Sequence, residues 1–369
     1  MGLTRYCIGD LVSPYKEECG ISSLSATEVS GINASKEFFE PAKQVGADTS
    51  KYRVVPSGYF ACNLMHVGRD IVLPVALNRT ERNKFVSPAY SVFGISSPNV
   101  LPSYLAMLFN SPERDRYFWF HTDASVRDGM SWTDFCECEV HLPPIHIQRK
   151  YAAIYESMLA NQCTYERGLG DLKLSLDALY DHCKHDCPPV KLGELLSEID
   201  IRNDPDLPAE PLGVTLDQRF QPSRGKLKER NKYKRVASGQ IVANLIQIGR
   251  DAAFPIAMND ADYVLLVSPD YHVFQPKDIN TAHYIMGWFS RSEVGRYGWF
   301  ICDDGVRGRL SIEKFNEVQV PYPAERTLHA VAELQTAYKI CCDINERLKS
   351  KLKDICPVLI RGSIEEASR

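Results

Sequence analysis

The densest group of potential metal ligands and nucleophiles is HCKHDC, His182 to Cys187. Thiolates and imidazoles bind zinc, but a structural zinc site usually draws its ligands from two separated pairs, and no second pair follows here. The cluster therefore reads as the polar end of a helix. Cys136 and Cys138 bracket one glutamate in a run expected to be a strand, where residues two apart share a face, and they read as core. Twelve cysteines and nine histidines leave room for a cysteine hydrolase, yet no Cys-His phrase recurs to support one. There is no glycine-rich phosphate loop, no dinucleotide fingerprint and no DPPY-like or NPPY-like methyl-transfer phrase; LPPI at Leu142 does not qualify. No cofactor is expected. The strongest remaining feature is electrostatic: RGKLKERNKYKR, Arg224 to Arg235, carries seven basic residues against one acid, just after the acidic EIDIRNDPDLPAE. Such a run suits a loop that tracks phosphates.

The elements that would position these groups come in two sets. The segment from Lys51, KYRVVPSGYFACNLMHVGRDIVLPVALN, aligns without a gap with KYKRVASGQIVANLIQIGRDAAFPIAMN from Lys232, an offset of 181 residues. The match continues through FVSPAYSVF to Phe93 and LVSPDYHVF to Phe274, and YCIGDLVS at the start is echoed by VKLGELLS from Val190. A chain of 369 residues with 44% hydrophobic residues has enough material for two cores, one per copy. The net charge of −4 excludes a polycation overall, leaving any nucleic-acid role to local basic patches. No apolar run approaches the ~20 residues that cross a bilayer, and the cysteines lack a disulfide framework, so a soluble cytoplasmic protein is expected.

Within each copy, short runs rich in Val, Ile, Phe and Tyr, broken by Gly, Pro and Asn, predict strands and turns. Between them PSYLAMLFNSPERDRYFWF and its counterpart ending RYGWF carry apolar residues at helical spacing, although the final RYFWF and RYGWF are also strand-like. Each copy then ends in a proline followed by a long helical pattern. From about Ala324 to about Ile355, Val331, Leu334, Tyr338, Cys341, Asn345, Leu348, Leu352 and Ile355 step by three and four, as in the seam of a coiled coil. In the first copy Ile147, Tyr151, Ile154, Met158, Asn161, Tyr165, Leu172 and Leu179 follow the same logic, with an interruption expected near Gly168 and Gly170. A helix of ~33 residues is on the order of 50 Å long, which suits a spacer. Antiparallel pairing of two such helices would relate the copies by a pseudo-twofold axis. The expected fold is α+β: two mixed α/β domains, residues 1–144 and 188–322, alternating with helix regions 145–187 and 323–369.

This order resembles the specificity subunit of type I restriction-modification systems across essentially the whole chain. The residues that carry the likeness are the opening (Gly9, Asp10, Leu11; Gly193, Glu194, Leu195) and the SPAY-V-F phrase (Ser87 to Phe93; Ser268 to Phe274). The exit (Ser131, Phe135, Val140, Pro143; Ser311, Phe315, Val318, Pro321) and the helices behind it complete it. The resemblance implies two target recognition domains, each reading half of a split sequence in double-stranded DNA. It implies helices that set the gap and dock methyltransferase subunits, expected to number two, with restriction subunits joining through them. It also implies no catalysis by this chain and no membrane. A coiled-coil adaptor without DNA binding is the competing reading.

Residues kept in both copies serve what the copies share, which includes the phosphate backbone; residues that differ carry any difference in base preference. Kept basic candidates are Lys51 and Lys232, Arg69 and Arg250, and Arg127 and Arg307, joined by Arg224, Lys226, Lys228 and Arg230 of the basic run. The phrase Gly-Arg-Asp at Arg69 and Arg250 also fits an internal turn and ion pair. Candidate base readers are His66 and Gln247, Arg79, Arg82 and Tyr263, and His272, whose side chains offer donors and acceptors to base edges.

Overall fold

The computed structural model describes residues 2–41, 46–122, 129–203, 209–223, 229–246, 248–251, 253–303 and 308–369, without the side chains of His66, Arg69, Asp70 and Arg250. The chain divides into two units, Met1–Tyr165 with Asn345–Arg369, and Glu166–Ile344.

Unit 1 contains strands β1 (Thr4–Cys7), β2 (Val12–Tyr15), β3 (Gly31–Ile32), β4 (Phe38–Phe39), β5 (Arg53–Val55), β6 (Phe60–Cys62), β7 (Val75–Leu77), β8 (Lys84–Val86), β9 (Ser91–Ile95) and β10 (Glu139–Leu142). Its helices are α1 (Val67–Asp70), α2 (Pro102–Phe109), α3 (Pro112–Phe120), α4 (Trp132–Glu137) and the start of α5 (Ile145–Asp186). An antiparallel sheet β2-β9-β6-β7 forms the centre, β5 pairs with β8, β3 with β4, and β1 pairs with β10 beside the entry to α5.

Unit 2 repeats this order. Its strands are β11 (Pro189–Lys191), β12 (Leu196–Ile199), β13 (Pro211–Val214), β14 (Phe220–Pro222), β15 (Lys234–Val236), β16 (Ile241–Ala243), β17 (Ile256–Met258), β18 (Leu265–Val267), β19 (His272–Pro276) and β20 (Gln319–Pro321). Helices α6 (Leu192–Leu195), α7 (Ile248–Asp251), α8 (Ile279–Phe289), α9 (Ser292–Ile301), α10 (Ile312–Asn316) and the first part of α11 (Glu325–Ser368), whose end belongs to unit 1, accompany them. The sheet β12-β19-β16-β17 matches the central sheet of unit 1, and β11-β20 matches β1-β10. Here the two outer pairs merge into one sheet, β14-β13-β18-β15, where unit 1 has only a parallel bridge between Val29 and Phe85 among the described residues.

The repeated phrases are mostly scaffold. Tyr90 closes a turn onto the Ser87 carbonyl and its hydroxyl accepts the Ile32 amide at 3.1 Å; Tyr271 does the same with Ser268 and Val214, at 3.2 Å. Phe93 and Phe274 are fully buried. Ser131 and Ser311 cap α4 and α10 by accepting the amides of Asp134 and Lys314, and four residues on Phe135 and Phe315 fill the core. A serine that satisfies an orphan amide at a helix start and an aromatic one turn later is a compact recipe for a short docked helix.

RYFWF and RYGWF lie in α3 and α9, not in strands. Pro112 supplies a fixed φ at the start of α3, where no amide bond is lost, and helical packing overrides the strand preference of the aromatics. Cys136 is in α4 and Cys138 is the buried residue that ends it, so the two do not share a strand face.

The helix α5 runs unbroken through Gly168 and Gly170, and α11 continues through Pro357 to Ser368. Two glycines cost a helix about 1 kcal/mol each, less than a partner helix returns through packing. Within unit 1, α5 and α11 run antiparallel: Lys150 reaches Glu366, while the buried Gln162 donates to Asn345 at 3.0 Å. Tyr155, Leu352, Cys356 and Leu359 are buried between them and the core, with Met158 packed alongside. Within unit 2, Leu176, Tyr180, Leu328 and Val331 are buried and Leu334 and Tyr338 pack against them. Leu172 and Leu348 are half-buried, whereas Ile154 and Tyr165 are 43% and 39% exposed. The helix also packs on its own domain, so its buried stripe is wider than a two-position seam and runs through Gln148, Ala152, Tyr155 and Gln162 in place of Ile154 and Asn161.

Candidate nucleic-acid interface

Arg127, Arg307, Arg224, Lys226, Lys228 and Gln247 lie outside the described residues. For the kept Gly-Arg-Asp phrases the backbone is in place: Arg69 is in α1 and Arg250 in α7, and His66 ends the 3-10 turn Leu64–His66 that leads into α1. Asn63 and Asn244 build these turns by accepting the amides of Met65 and Ile246 at 3.1 and 3.0 Å. In unit 2 the Gly249 amide donates to the Gly308 carbonyl at 3.0 Å, and a Cβ on Gly249 would fall 2.6 Å from the Gly308 Cα. Only glycine permits that approach, which holds α7 against the segment leading from α9 to α10.

Other basic candidates have protein partners. Lys232 pairs with Glu229, and the half-buried Arg230 donates from Nη2 to the Ala209 carbonyl at 2.7 Å while its own carbonyl accepts Asn203 at 3.3 Å. Arg230 thus ties the chain across a loop, and Lys51 is exposed in its turn.

The base-reading candidates scatter. Buried Asn78 and Asn259 each organise the same turn, donating to the Arg82 and Tyr263 carbonyls at 2.9 Å, so Arg79 and Asp260, and Arg82 and Tyr263, occupy matching places. Positions 79 and 260 face the long helices. Asp260 pairs with Lys339 of α11, and Arg79 lies near Tyr155 of α5, whose hydroxyl burial pushes up to about 12 while the guanidinium draws it back. Arg82 is exposed and Tyr263 is 64% exposed. His272 on β19 is held by Glu198 of β12 at 2.7 Å. Its edge is therefore engaged across the sheet.

At the His-Cys cluster, His182 meets Asp186 at 2.6 Å and Cys183 is fully buried; among the described residues no group is arranged to hold a metal. Burial raises the thiols of Cys62, Cys138 and Cys356, the last two to about 12, which suits core residues and not nucleophiles.

One exposed feature escapes a reading of charge and motif. Trp119 and Phe120 at the end of α3 are 46% and 82% exposed, and Trp299 and Phe300 at the end of α9 are 59% and 78% exposed. In the sequence, only the phrase shared by the two copies signals them.

No family model matches the sequence, and no curated protein matches it significantly. Solved structures do. The type I restriction-modification system S subunit from M. genitalium superposes with a TM-score of 0.60 at 13% identity, covering 98% of this chain and 96% of that one. The HsdS subunit from Thermoanaerobacter tengcongensis gives 0.37 at 14% identity over 98% and 96% of the two chains. A chain from a structure of type I R-M complex assembly gives 0.42 at 14% over 100% and 98%. The first of these establishes the likeness of fold along the full length. Among the described residues no helix is long and apolar enough to cross a membrane.

Proposed function

We propose that the chain is the sequence-specific DNA-recognition subunit of a type I restriction-modification assembly, without catalytic activity of its own. Residues 1–144 and 188–322 act as target recognition domains, each reading one half of a bipartite site. Helix regions 145–187 and 323–369 set the spacer and dock two methyltransferase subunits, through which restriction subunits join, in the cytoplasm. The observation that carries this reading is the full-length likeness of fold to the S subunit from M. genitalium, in a chain that is itself a repeat. The kept basic residues Lys51, Lys232, Arg69, Arg250, Arg127 and Arg307 then serve phosphates on both half-sites, with Arg224, Lys226 and Lys228 as an additional phosphate loop in the second domain. Arg82 and Tyr263, exposed at matching turns, are the favoured base readers among the described candidates.

The test is selection of bound duplexes from a random pool by the chain assembled with its cognate methyltransferase subunit. The expected result is two short defined sequences separated by a fixed gap of unspecified bases. Recovery of one contiguous sequence, or of no preferred sequence, overturns the reading, as does methyl transfer by the chain alone.

A further inference from the structure

The phrases Arg116-Tyr117-Phe118-Trp119-Phe120 and Arg296-Tyr297-Gly298-Trp299-Phe300 show an inverted pattern of constraint. In a surface helix the buried position is ordinarily held by packing and the exposed ones drift. Here the buried centre has changed, from Phe118 at 1% exposure to Gly298, while the exposed Arg, Trp and Phe are identical. The core accommodates the change from elsewhere. Phe118 stands 5.9 Å from Phe109 and 5.8 Å from Phe135; in unit 2 Phe254 stands 4.8 Å from Phe289 and 6.2 Å from Phe315, the matching pair. A Cβ on Gly298 would already lie 2.3 Å from the Phe254 ring. Packing thus explains the variable residue and leaves the constant ones unexplained.

We infer that the exposed ends of α3 and α9 are docking sites for one and the same partner protein, one copy on each unit. Under the function proposed above, on which this identification rests, that partner is the methyltransferase subunit, gripped by each unit at a point outside the long helices. Two observations favour a protein over DNA. Tryptophan, arginine and tyrosine dominate the energetics of protein interfaces, and the exposed Trp119 and Phe120, with Arg116 one turn back, repeat as Trp299, Phe300 and Arg296. The charges shared by the two helices, Glu113 with Arg116 and Glu293 with Arg296, cancel, whereas a surface for a polyanion needs a cationic excess. An aromatic ring also gains little from duplex DNA unless base steps are first unstacked.

The experiment compares the parent chain, Trp119→Ala/Phe120→Ala, Trp299→Ala/Phe300→Ala and the fourfold variant, each titrated with purified methyltransferase subunit. Native mass spectrometry reads stoichiometry, and a separate assay reads duplex binding. The parent should bind two subunits, each double variant one at the original affinity and a second at least tenfold more weakly, and the fourfold variant both weakly. Circular dichroism and urea unfolding like the parent's keep a folding defect from mimicking this result, since the altered side chains are exposed. Unchanged stoichiometry and affinity overturn the inference while leaving the proposed function intact. Unchanged assembly with weakened duplex binding overturns it in favour of a DNA contact. A parent that binds no methyltransferase overturns both.

Discussion

The two units solve one structural problem, one with a buried charge pair and the other with a neutral amide. In each, a four-residue turn ends in a non-glycine residue with positive φ, Lys36 at 63° and Gln218 at 59°, and that side chain donates to a carbonyl near the end of the next long element, Phe109 of α2 or Met286 of α8. In unit 1 the donor is a cation, and Asp115 on α3 meets it at 2.7 Å with side-chain exposures of 5% and 13%. In unit 2 the donor is a neutral amide, and the place of Asp115 is taken by Gly295. Burial lowers the pKa of Lys36 and raises that of Asp115, each drawn back by the other's charge. The interaction common to both units is the tie from the turn to the helix end. The charge pair is one way of making it.

Cutting the pair should therefore be far worse than replacing it. Asp115→Ala leaves Lys36 as a buried, uncompensated cation and should destabilise unit 1 by about 3–5 kcal/mol. The double change Lys36→Gln/Asp115→Gly copies unit 2, keeps the tie and should recover most of that loss. Urea unfolding of the three chains measures both effects. A double variant as unstable as Asp115→Ala would show that the ion pair, not the tie, holds the turn.

The aromatic exchange gives a second, smaller contrast. Phe254→Ala removes the ring that stands in for Phe118 and should cost ~3 kcal/mol, the lower end for such a change, because α9 can settle toward the vacated space at Gly298. Gly298→Phe alone should overpack, since its Cβ already meets Phe254. Phe254→Leu/Gly298→Phe recreates unit 1, where Leu73 stands at the position of Phe254 in the 181-residue offset and Phe118 matches Gly298 between RYFWF and RYGWF, and should be more stable than either single change. Additive losses would mean that the two units pack these rings differently.

The duplication makes much of this fold legible. The offset between Lys51 and Lys232 predicts two like units, and the three-four stepping after Pro143 and Pro321 predicts both long helices. What fails is local. A heptad count misplaces Ile154, because the helix also packs on its own domain and buries a wider stripe through Tyr155 and Gln162. RYFWF reads two ways, because its aromatic residues favour strands in isolation while the stretch that holds it keeps helical spacing, and packing decides for the helix. The interface is the least legible part. A charged residue in a sequence does not announce its partner, and Arg230, Asp260 and His272 are engaged with Ala209, Lys339 and Glu198.

The helix ends provide the finest test of how alike the units are. In unit 1, Glu366 of α11 accepts from Lys150 at 2.7 Å and from the Tyr151 hydroxyl at 3.0 Å, so its carboxyl titrates below the usual 4.5, chiefly through the lysine hydrogen bond and then the tyrosine. In unit 2, Asp181 of α5 is held below its usual 3.8 chiefly by its hydrogen bond to Arg291 and by that residue's charge. Both carboxylates have folded pKa values depressed relative to the unfolded chain. Each therefore contributes its stabilisation above the unfolded value, and loses it as pH falls through the folded one, in the acid range below about pH 4.5. Because both groups are exposed, the effect on overall stability should be smaller than that of cutting the Lys36–Asp115 pair or removing the Phe254 ring. Carboxyl NMR titration reads it directly. Lys150→Ala should raise the Glu366 pKa more than Tyr151→Phe does, because the lysine removes a charge as well as a donor, and neither alone should return it fully to 4.5. Arg291→Gln should bring Asp181 most of the way back toward 3.8, since the arginine dominates there. If Tyr151→Phe moves Glu366 further than Lys150→Ala, the hydroxyl rather than the ion pair secures the end of α11, and the two units close their helices by different chemistry.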